Sequence, residues 1–560
     1  MTLILGPCCR QHARRFFTAS KPTVWTARSF ATEVPSSVEE FDVVIVGGGP
    51  AGLALATALA SSKPILDTTS IALIEAGDLA RVRNWSQPSG TFSNRVSSIT
   101  NISQGFLDSI GAWAHVENSR VAKLEDMQVW DGLSDARIEF SASELRSLSG
   151  SGRVPQIAHM TENLNLQRGL LHRLNDFPSV KLLDNVKVDD IKAEEGDKGG
   201  WPTLKLSDGK TLRTRLLVGA DGFNSPVKKY AGIRTYGWAY DTHAVVATMF
   251  HSPPFPGTPL TAYQRFLPTG PIAFLPLSDT AASLVWSTKP HLAAALKATH
   301  PDMINAAFRL PDTSMKVLYD VLLDTKSQVT PEEMAETIRW REESHGIAPL
   351  SSLSSIEAGG SAAVGGYGGE ADMPPLVTAI QPGSVAGFPL RLSHAEVYIG
   401  EGAGARTALV GDAAHTIHPL AGQGLNMGLA DVQALSKCIE NAVQLGADIG
   451  SRTALLPYPR ARYFENHKLL SATDKLHKLY ETTFPPVVWA RSAGLEVINE
   501  LESVKSVLMM NAGRGGEASS LWDVAAAGVE GVSRAVHSAE AVARGVGNLG
   551  MALIQNALRK

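Results

Sequence analysis

The sequence predicts an α/β protein in which a nucleotide-binding domain is discontinuous along the chain, with a mostly β domain inserted into it and helices following at the C-terminal end. Three observations carry this prediction. The run Val43-Val44-Ile45-Val46 ends in Gly47-Gly48-Gly49-Pro50-Ala51-Gly52. The run Leu216-Leu217-Val218 ends in Gly219-Ala220-Asp221-Gly222. The run Leu409-Val410 ends in Gly411-Asp412-Ala413-Ala414-His415 and leads to Pro419-Leu420-Ala421-Gly422-Gln423-Gly424-Leu425-Asn426-Met427-Gly428. Short apolar runs of this kind read as parallel strands buried on both faces. Three glycine loops that each follow a strand imply one extended ligand gripped at three places.

The elements follow in order. Phe41–Val46 is the first buried strand, and the Ala/Leu-rich stretch Pro50–Ala60 is the first helix. Ile71–Ile74 is the next strand, and Arg215–Val218 and Thr407–Val410 repeat the pattern. Between them, Ala262–Leu277 and Ala282–Ser287 are rich in aromatic and β-branched residues and read as sheet. Tyr458–Tyr480 has apolar residues at helical spacing with basic side chains between them. Ser351–Pro375 is rich in Ser and Gly and reads as a flexible loop. After Ala525, small apolar residues recur at steps of three and four (Val529, Val532, Val536, Ala539, Ala543), and glycines 528, 531, 545, 547 and 550 weaken that helix.

Bulk properties exclude several classes. A chain of 560 residues is long enough for two cores. A formal net charge of -4 gives no basic surface for a polyanion, so no nucleic-acid partner is expected. No uninterrupted apolar run reaches the roughly 18 residues of a membrane span. Cys8, Cys9 and Cys438 are the only cysteines, and no Cys/His cluster has metal-ligand spacing, so no metal site is expected. Residues 1–32 lack any acid and carry Arg10, Arg14, Arg15, Lys21 and Arg28, the composition of a mitochondrial transit peptide. Cleavage is expected between Arg28 and Thr32.

The glycine loops define the ligand. Gly47, Gly49 and Gly52 stand in the G-x-G-x-x-G arrangement between strand and helix: the first allows a tight turn, the second admits a pyrophosphate, the third lets helix pack on strand. Glu75, ending the second strand, is placed to bind a ribose diol. This much means a dinucleotide, FAD or NAD, on a Rossmann-like domain. Asp412 can accept hydrogen bonds from the hydroxyls of a ribityl chain, although an aspartate there is also a possible helix N-cap. Gly422, Gly424 and Asn426, with Gln423 among them, offer backbone N–H groups to the edge of an isoalloxazine ring. Nicotinamide needs no such second clamp, which selects FAD. Asp221-Gly222 is by itself a common turn.

The three motifs in this order resemble the para-hydroxybenzoate hydroxylase class of FAD monooxygenases. Finer strings narrow the resemblance: Ser93-Asn94-Arg95-Val96-Ser97-Ser98-Ile99, Met127-Gln128-Val129-Trp130-Asp131, Tyr263-Gln264-Arg265-Phe266-Leu267-Pro268-Thr269-Gly270-Pro271-Ile272, Ser283-Leu284-Val285-Trp286-Ser287-Thr288 and Gly387-Phe388-Pro389-Leu390. These look like the ubiquinone-biosynthesis hydroxylases, most closely their eukaryotic mitochondrial branch, over about Phe41 to Met510. The resemblance implies a para-hydroxybenzoate hydroxylase-like fold, with cofactor-domain pieces over 40–125, 156–235 and 401–450. Substrate-domain pieces would lie over 126–155 and 236–400, with the flexible loop at 351–375. C-terminal helices would span 451–515, and a weakly amphipathic tail 516–560. It places Asp221 and Gly222 near the pyrophosphate, Arg95 near the flavin, and the His415–Gly424 segment along the ring.

The resemblance also implies hydroxylation at C5 of a polyprenylated phenolic ring through a flavin C4a-hydroperoxide, so that the flavin carries the chemistry and no protein residue is assigned a catalytic role. His415 and His418 are left as structural histidines. The implied partners are the polyprenylated phenol and O2, ferredoxin with its reductase as electron donor, other ubiquinone-biosynthesis proteins in a complex, and the matrix side of the inner membrane by peripheral contact. The residues alone leave two other readings open: a hydroxylase of a soluble phenol, and a catalytically idle flavoprotein that scaffolds a biosynthetic complex.

Overall fold

The computed structural model describes residues 38–143, 156–193, 200–254, 257–297, 300–324, 329–347, 373–419 and 422–500. The expected transit segment, most of the Ser/Gly-rich loop, the tail over 516–560 and Leu420-Ala421 of the third motif lie outside them.

Five parallel strands form the first sheet's core, in the spatial order Lys181–Leu183, Ile71–Ile74, Val38–Val46, Thr211–Gly219 and Thr407–Leu409. Thr211–Gly219 is paired on its outer edge by two different strands: antiparallel to Pro202–Leu206 over its first half, parallel to Thr407–Leu409 over its second. Val43, Val44, Ile45, Leu216, Leu217 and Val218 are fully buried, as a strand covered on both faces requires. The first strand begins at Val38, three residues before the expected start. Its extension is charged, so an apolar-run criterion misses it. Glu39 is held there by Lys181, and Glu40 by Arg213 at 2.8 Å.

The helix Pro50–Ser61 opens with proline in its first turn and continues in Ala and Leu, with every residue from Gly52 to Ala60 buried. It lies against the 21-residue helix Gly424–Gln444. The small side chains allow this close approach: a Cβ built on Gly428 would lie 3.8 Å from the Cβ of Ala51.

The second sheet has nine strands. Its main path runs His415–Thr416, Ala386–Ala395, Thr235–His251, Ala281–Thr288, Gly270–Pro276, Thr261–Leu267, Asp126–Asp131 and Arg137–Ser141, with Val377–Ile380 beside Thr235–His251. Trp130, Trp286 and Phe274 fill its core. Four helices (Pro290–Leu296, Pro301–Arg309, Asp312–Leu323, Pro331–Ser344) complete that core with Phe308, Met315 and Leu318. The strand signals of the sequence did not place these helices. Because the two sheets draw on alternating stretches of chain, the segment after Gly411 passes directly from the first sheet into the second.

Two helices, Pro457–Glu481 and Pro485–Glu500, close the described chain. The second is locked to the second sheet by Arg491, whose guanidinium donates twice to the Asp131 carboxylate (2.7 and 2.9 Å). Both side chains are buried, at 1% and 0% exposure. Tyr480 stacks on Phe266 with ring centroids 3.9 Å apart. Among the described residues no helix is long and apolar enough to cross a membrane.

Candidate cofactor site

The three glycine loops meet at the C-terminal ends of adjacent parallel strands, the crevice where open α/β sheets bind ligands. Gly47 turns the chain with φ +110°, and a Cβ there would lie 2.3 Å from the Ala220 carbonyl oxygen, so only glycine lets the first and second loops touch. A Cβ on Gly52 would lie 1.9 Å from the Gly47 carbonyl oxygen. Gly49 behaves oppositely: a Cβ there meets nothing within 4 Å. It precedes the Pro50–Ser61 helix, whose first N–H groups have no intrahelical partner. Tight packing behind Gly47 and Gly52 and open space before Gly49 form a cradle that fits a pyrophosphate on the helix dipole.

The second and third loops are tied by backbone. The Ala220 N–H donates to Val46 at 2.8 Å, and the Val410 N–H to Gly219 at 2.9 Å. Gly411, at φ +59°, brings the third loop onto the first: a Cβ there would lie 3.2 Å from the Cβ of Ala51. Burial pushes the Asp221 carboxyl up, opposed by the Ser225 hydroxyl and the Val227 N–H. Its Oδ1 is buried without a hydrogen-bond partner, as a group that awaits a ligand would be. Gly222 follows at φ +80° with open space around it. Asp412 is solvent-accessible, yet protein atoms ring it. That setting pushes its carboxyl up through desolvation, and His415 pulls it partly back. Asp412 lies inside the short 3-10 turn Gly411–Ala413, whose N-cap is Val410, so the N-cap alternative is set aside.

Behind Asp412 lies a polar network that the sequence did not reveal. Asp431, on the Gly424–Gln444 helix, is fully buried. Its carboxylate accepts from the Gly411 N–H (3.2 Å), Arg462 Nε (3.2 Å) and Asn466 Nδ2 (2.9 Å), and bonds His415 Nε2 at 2.6 Å. Burial acts to raise the Asp431 pKa, but His415, Arg462 and Asn466 outweigh it and hold the carboxyl below its usual range. One carboxylate therefore anchors both flanks of Asp412, at Gly411 and at His415. The network continues from Asn466 to the Tyr398 hydroxyl (3.0 Å) and from there to His394 (3.0 Å). The available signal was an acid among buried apolar positions of a helix, with Arg462 and Asn466 one turn apart on the next long helix.

Other expected site residues differ in placement. Glu75 uses its carboxylate on backbone: Oε2 accepts from the Gly48 N–H (2.5 Å) and Oε1 from the Gly77 N–H (2.7 Å). Each oxygen keeps a further lone pair for a ribose hydroxyl. The side chain of Asn426 is pinned to the strand Val96–Thr100, accepting from the Thr100 N–H (3.1 Å) and donating to the Ser98 carbonyl (2.8 Å). Only its backbone is left for a ligand. The helix opens with the Met427 N–H donating to the Gln423 carbonyl (2.9 Å), so Gln423, Gly424 and Asn426 make a helix N-terminus. Gly422, at φ +58°, lies against Ser98, 3.7 Å from a built Cβ to that side chain. Arg95 is exposed, and its guanidinium has no ion pair among the described residues. The loop carrying it is fixed by the buried pair Arg120–Glu162 (2.6 Å), whose Glu162 also accepts from the Ser93 N–H (2.5 Å).

His418 is fully buried beside Tyr240 and His477, with ring centroids 5.2 and 4.8 Å away. Burial, with the His477 charge adding, pushes its pKa down to about 3, so the ring is neutral at physiological pH. Among the described residues no His/Cys/Asp/Glu group could hold a metal ion.

The three loops fit a dinucleotide, and similarity to known proteins identifies it as FAD. A family model described as an FAD binding domain matches residues 84–340 and 393–450. Two solved structures share the fold: PqsL, a probable FAD-dependent monooxygenase from Pseudomonas aeruginosa (TM-score 0.55, 19% identity, 82% of this chain and 99% of that one), and p-nitrophenol 4-monooxygenase PnpA from Pseudomonas putida (TM-score 0.57, 17% identity, 86% and 100%). The protein is an FAD-dependent monooxygenase. Curated relatives named mitochondrial ubiquinone biosynthesis monooxygenase COQ6 include those of Schizosaccharomyces pombe (38% identical, covering 85% of this chain and 92% of the relative), Saccharomyces cerevisiae (39%, 86% and 95%) and Homo sapiens (35%, 84% and 92%). The chain belongs to this COQ6 family of ubiquinone-biosynthesis monooxygenases.

Proposed function

We propose that the chain hydroxylates C5 of a polyprenylated hydroxybenzoate or phenol intermediate on the route to ubiquinone. The observation that supports this most is the convergence of three loops, distant in sequence, into one cradle in a member of this family. Gly47, Gly49 and Gly52 would hold the pyrophosphate, Glu75 the adenosine ribose, and Asp221 and Gly222 the junction between them. Asp412 would take the ribityl hydroxyls, positioned by Asp431 through Gly411 and His415. The backbone of Gly422, Gln423, Gly424 and Asn426 would face the isoalloxazine edge, with Arg95 at its rim. Bound and reduced, the flavin supplies the activated oxygen by reacting with O2. The protein's part is to orient the phenol ring and exclude water.

The segments assigned above to cofactor and substrate domains belong to this reading. So do ferredoxin and its reductase as donor, association with other ubiquinone-biosynthesis proteins, mitochondrial location, and peripheral contact with the matrix face of the inner membrane. That contact follows from the substrate: a polyprenyl tail stays in the bilayer. The test is turnover of the FAD-loaded protein with ferredoxin, its reductase, heavy-isotope O2 and a prenylated 4-hydroxybenzoate. The reading expects one labelled oxygen at ring C5. Label at another position, or efficient NADPH-driven turnover of small soluble phenols instead, would overturn it.

A further inference from the structure

The segment 91–95 belongs to neither a helix nor a strand, yet its backbone is fixed almost residue by residue. Arg120 donates to the Thr91 carbonyl (2.8 Å), and Glu162 accepts from the Ser93 N–H (2.5 Å). Between them, Phe92 is held by a side chain of the second sheet. Its N–H donates to Gln381 Oε1, and Gln381 Nε2 donates back to its carbonyl, both at 2.9 Å. Asn94 Nδ2 donates to the Ser384 carbonyl (2.5 Å).

Gln381 and Ser384 are the two ends of the turn Gln381-Pro382-Gly383-Ser384, which joins Val377–Ile380 to Ala386–Ala395. Proline in second place and Gly383 at φ +73° suit a type II turn, closed by the Ser384 N–H donating to the Gln381 carbonyl (3.1 Å). The turn is stapled to the strand Thr235–His251: the Gln381 N–H donates to the Thr248 carbonyl (2.8 Å), and the Thr248 N–H to Ser384 Oγ (3.0 Å). A stiff corner of the second sheet therefore grips the segment 91–95.

The far end of that segment is tied into the cofactor cradle. The Asn163 N–H donates to the Arg95 carbonyl (3.0 Å), and Gln167, one turn along the same helix, donates to the Gly48 carbonyl (3.1 Å). The strand Val96–Thr100 runs on to its contacts with Gly422 and Asn426. Arg95 thus stands between the first and third glycine loops, exposed and without an ion pair among the described residues. A cation on a backbone fixed in advance needs no reorganisation to act on a ligand.

We propose that the 381–384 turn is a positioning element for the flavin reaction: through Phe92 and Asn94 it holds Arg95 at the isoalloxazine rim. The proposal rests on the placement of Arg95 in the proposed function and identifies what fixes it. A cation held there favours the reduced ring, which carries negative charge, over the neutral oxidised one. Gln381 and Asn94 act through Arg95 and are positioning residues.

The test is a double-mutant cycle read by the midpoint potential of bound FAD in the full-length protein, from anaerobic titration against a redox dye. Arg95→Met should lower the preference for reduced flavin about tenfold, the scale of one screened charge pair, or about 30 mV for a two-electron couple. Gln381→Leu should shift the potential the same way, and the double variant should go no lower than Arg95→Met alone. Asn94→Ala, which releases the segment from Ser384 and leaves the turn intact, serves the same cycle if Gln381→Leu does not retain FAD. An unchanged potential in Arg95→Met would overturn the placement of Arg95 at the ring, and the proposal with it. A shift in Arg95→Met but none in the turn variants, or shifts that add in the double variant, would leave that placement standing and overturn the turn as its positioning element.

Discussion

A methyl group added at Gly49 meets nothing within 4 Å, whereas one added at Gly52 comes 1.9 Å from a backbone carbonyl. The two glycines of one motif therefore fail differently. Gly49→Ala should fold, with a melting temperature within about 2 °C of wild type when both are compared free of FAD, yet bind FAD at least about tenfold more weakly because the methyl occupies the pyrophosphate's approach. Gly52→Ala should damage the fold itself, since strand and helix must separate to admit it. Bound-flavin absorbance and thermal melts of the two variants check this. The sequence made the glycines legible because the motif encodes backbone geometry. It left Asp431 illegible because that residue's role arises from tertiary contact. An aspartate among Leu and Val on a helix gives no sign that Gly411, His415, Arg462 and Asn466 will converge on it. Asn426 marks the same limit: spacing put it at the flavin edge, and the structure spends its side chain on Ser98 and Thr100.

At the scale of elements, apolar runs matched Ile71–Ile74 and, to within a residue, Thr407–Leu409, but caught only the second half of Thr211–Gly219, missed Lys181–Leu183, and stopped short where charge pairing extended the first strand. The first strand gains Val38–Glu40 because Lys181 and Arg213 neutralise its acids. The helices from Pro290 to Ser344 escaped notice because they complete a core begun by strands, so the sequence around them reads as a β domain's interior. The last helix depends on one buried ion pair. Arg491→Met leaves Asp131 at 0% exposure without its counter-charge, a loss of about 3–5 kcal/mol of local stability. The expected outcome is release of the Pro485–Glu500 helix, seen as new protease cleavage between Thr482 and Val488 while FAD stays bound. A cleavage pattern like that of wild type would show that the helix is held by its apolar face, where Leu495 and Ile498 pack against Val129 and Ile138.

Across the whole molecule, burial of neutral histidines couples stability to pH. Burial pushes His418 down to about 3, and burial with the neighbouring His415 and His467 pushes His394 down to about 4, from an ordinary value of 6.5. Folded-state values below the unfolded ones mean the unfolded chain binds more protons in this window. Their contribution is thus complete above 6.5 and lost as pH falls towards 3 to 4. Replacing His418 by Asn should make stability less steep in pH below 6.5, by up to about 1.4 kcal/mol per pH unit. Denaturant titrations at a series of pH values check it, and equal slopes would mean that the buried ring protonates freely. The raised carboxyls of Asp221 and Asp412 act in the opposite direction, which is why the comparison is between variants and not between pH values alone.

The central claim is that three loops build one flavin site whose oxygen ends on a prenylated ring. It is tested most directly by the quinone lipids of cells lacking this protein, measured by mass spectrometry after rescue with wild type or with Gly49→Ala. The account predicts that only wild type restores ubiquinone, and that the variant accumulates a prenylated phenol lacking one ring oxygen. Full rescue by a Gly49→Ala protein shown to be free of FAD would contradict it and leave the chain a scaffold.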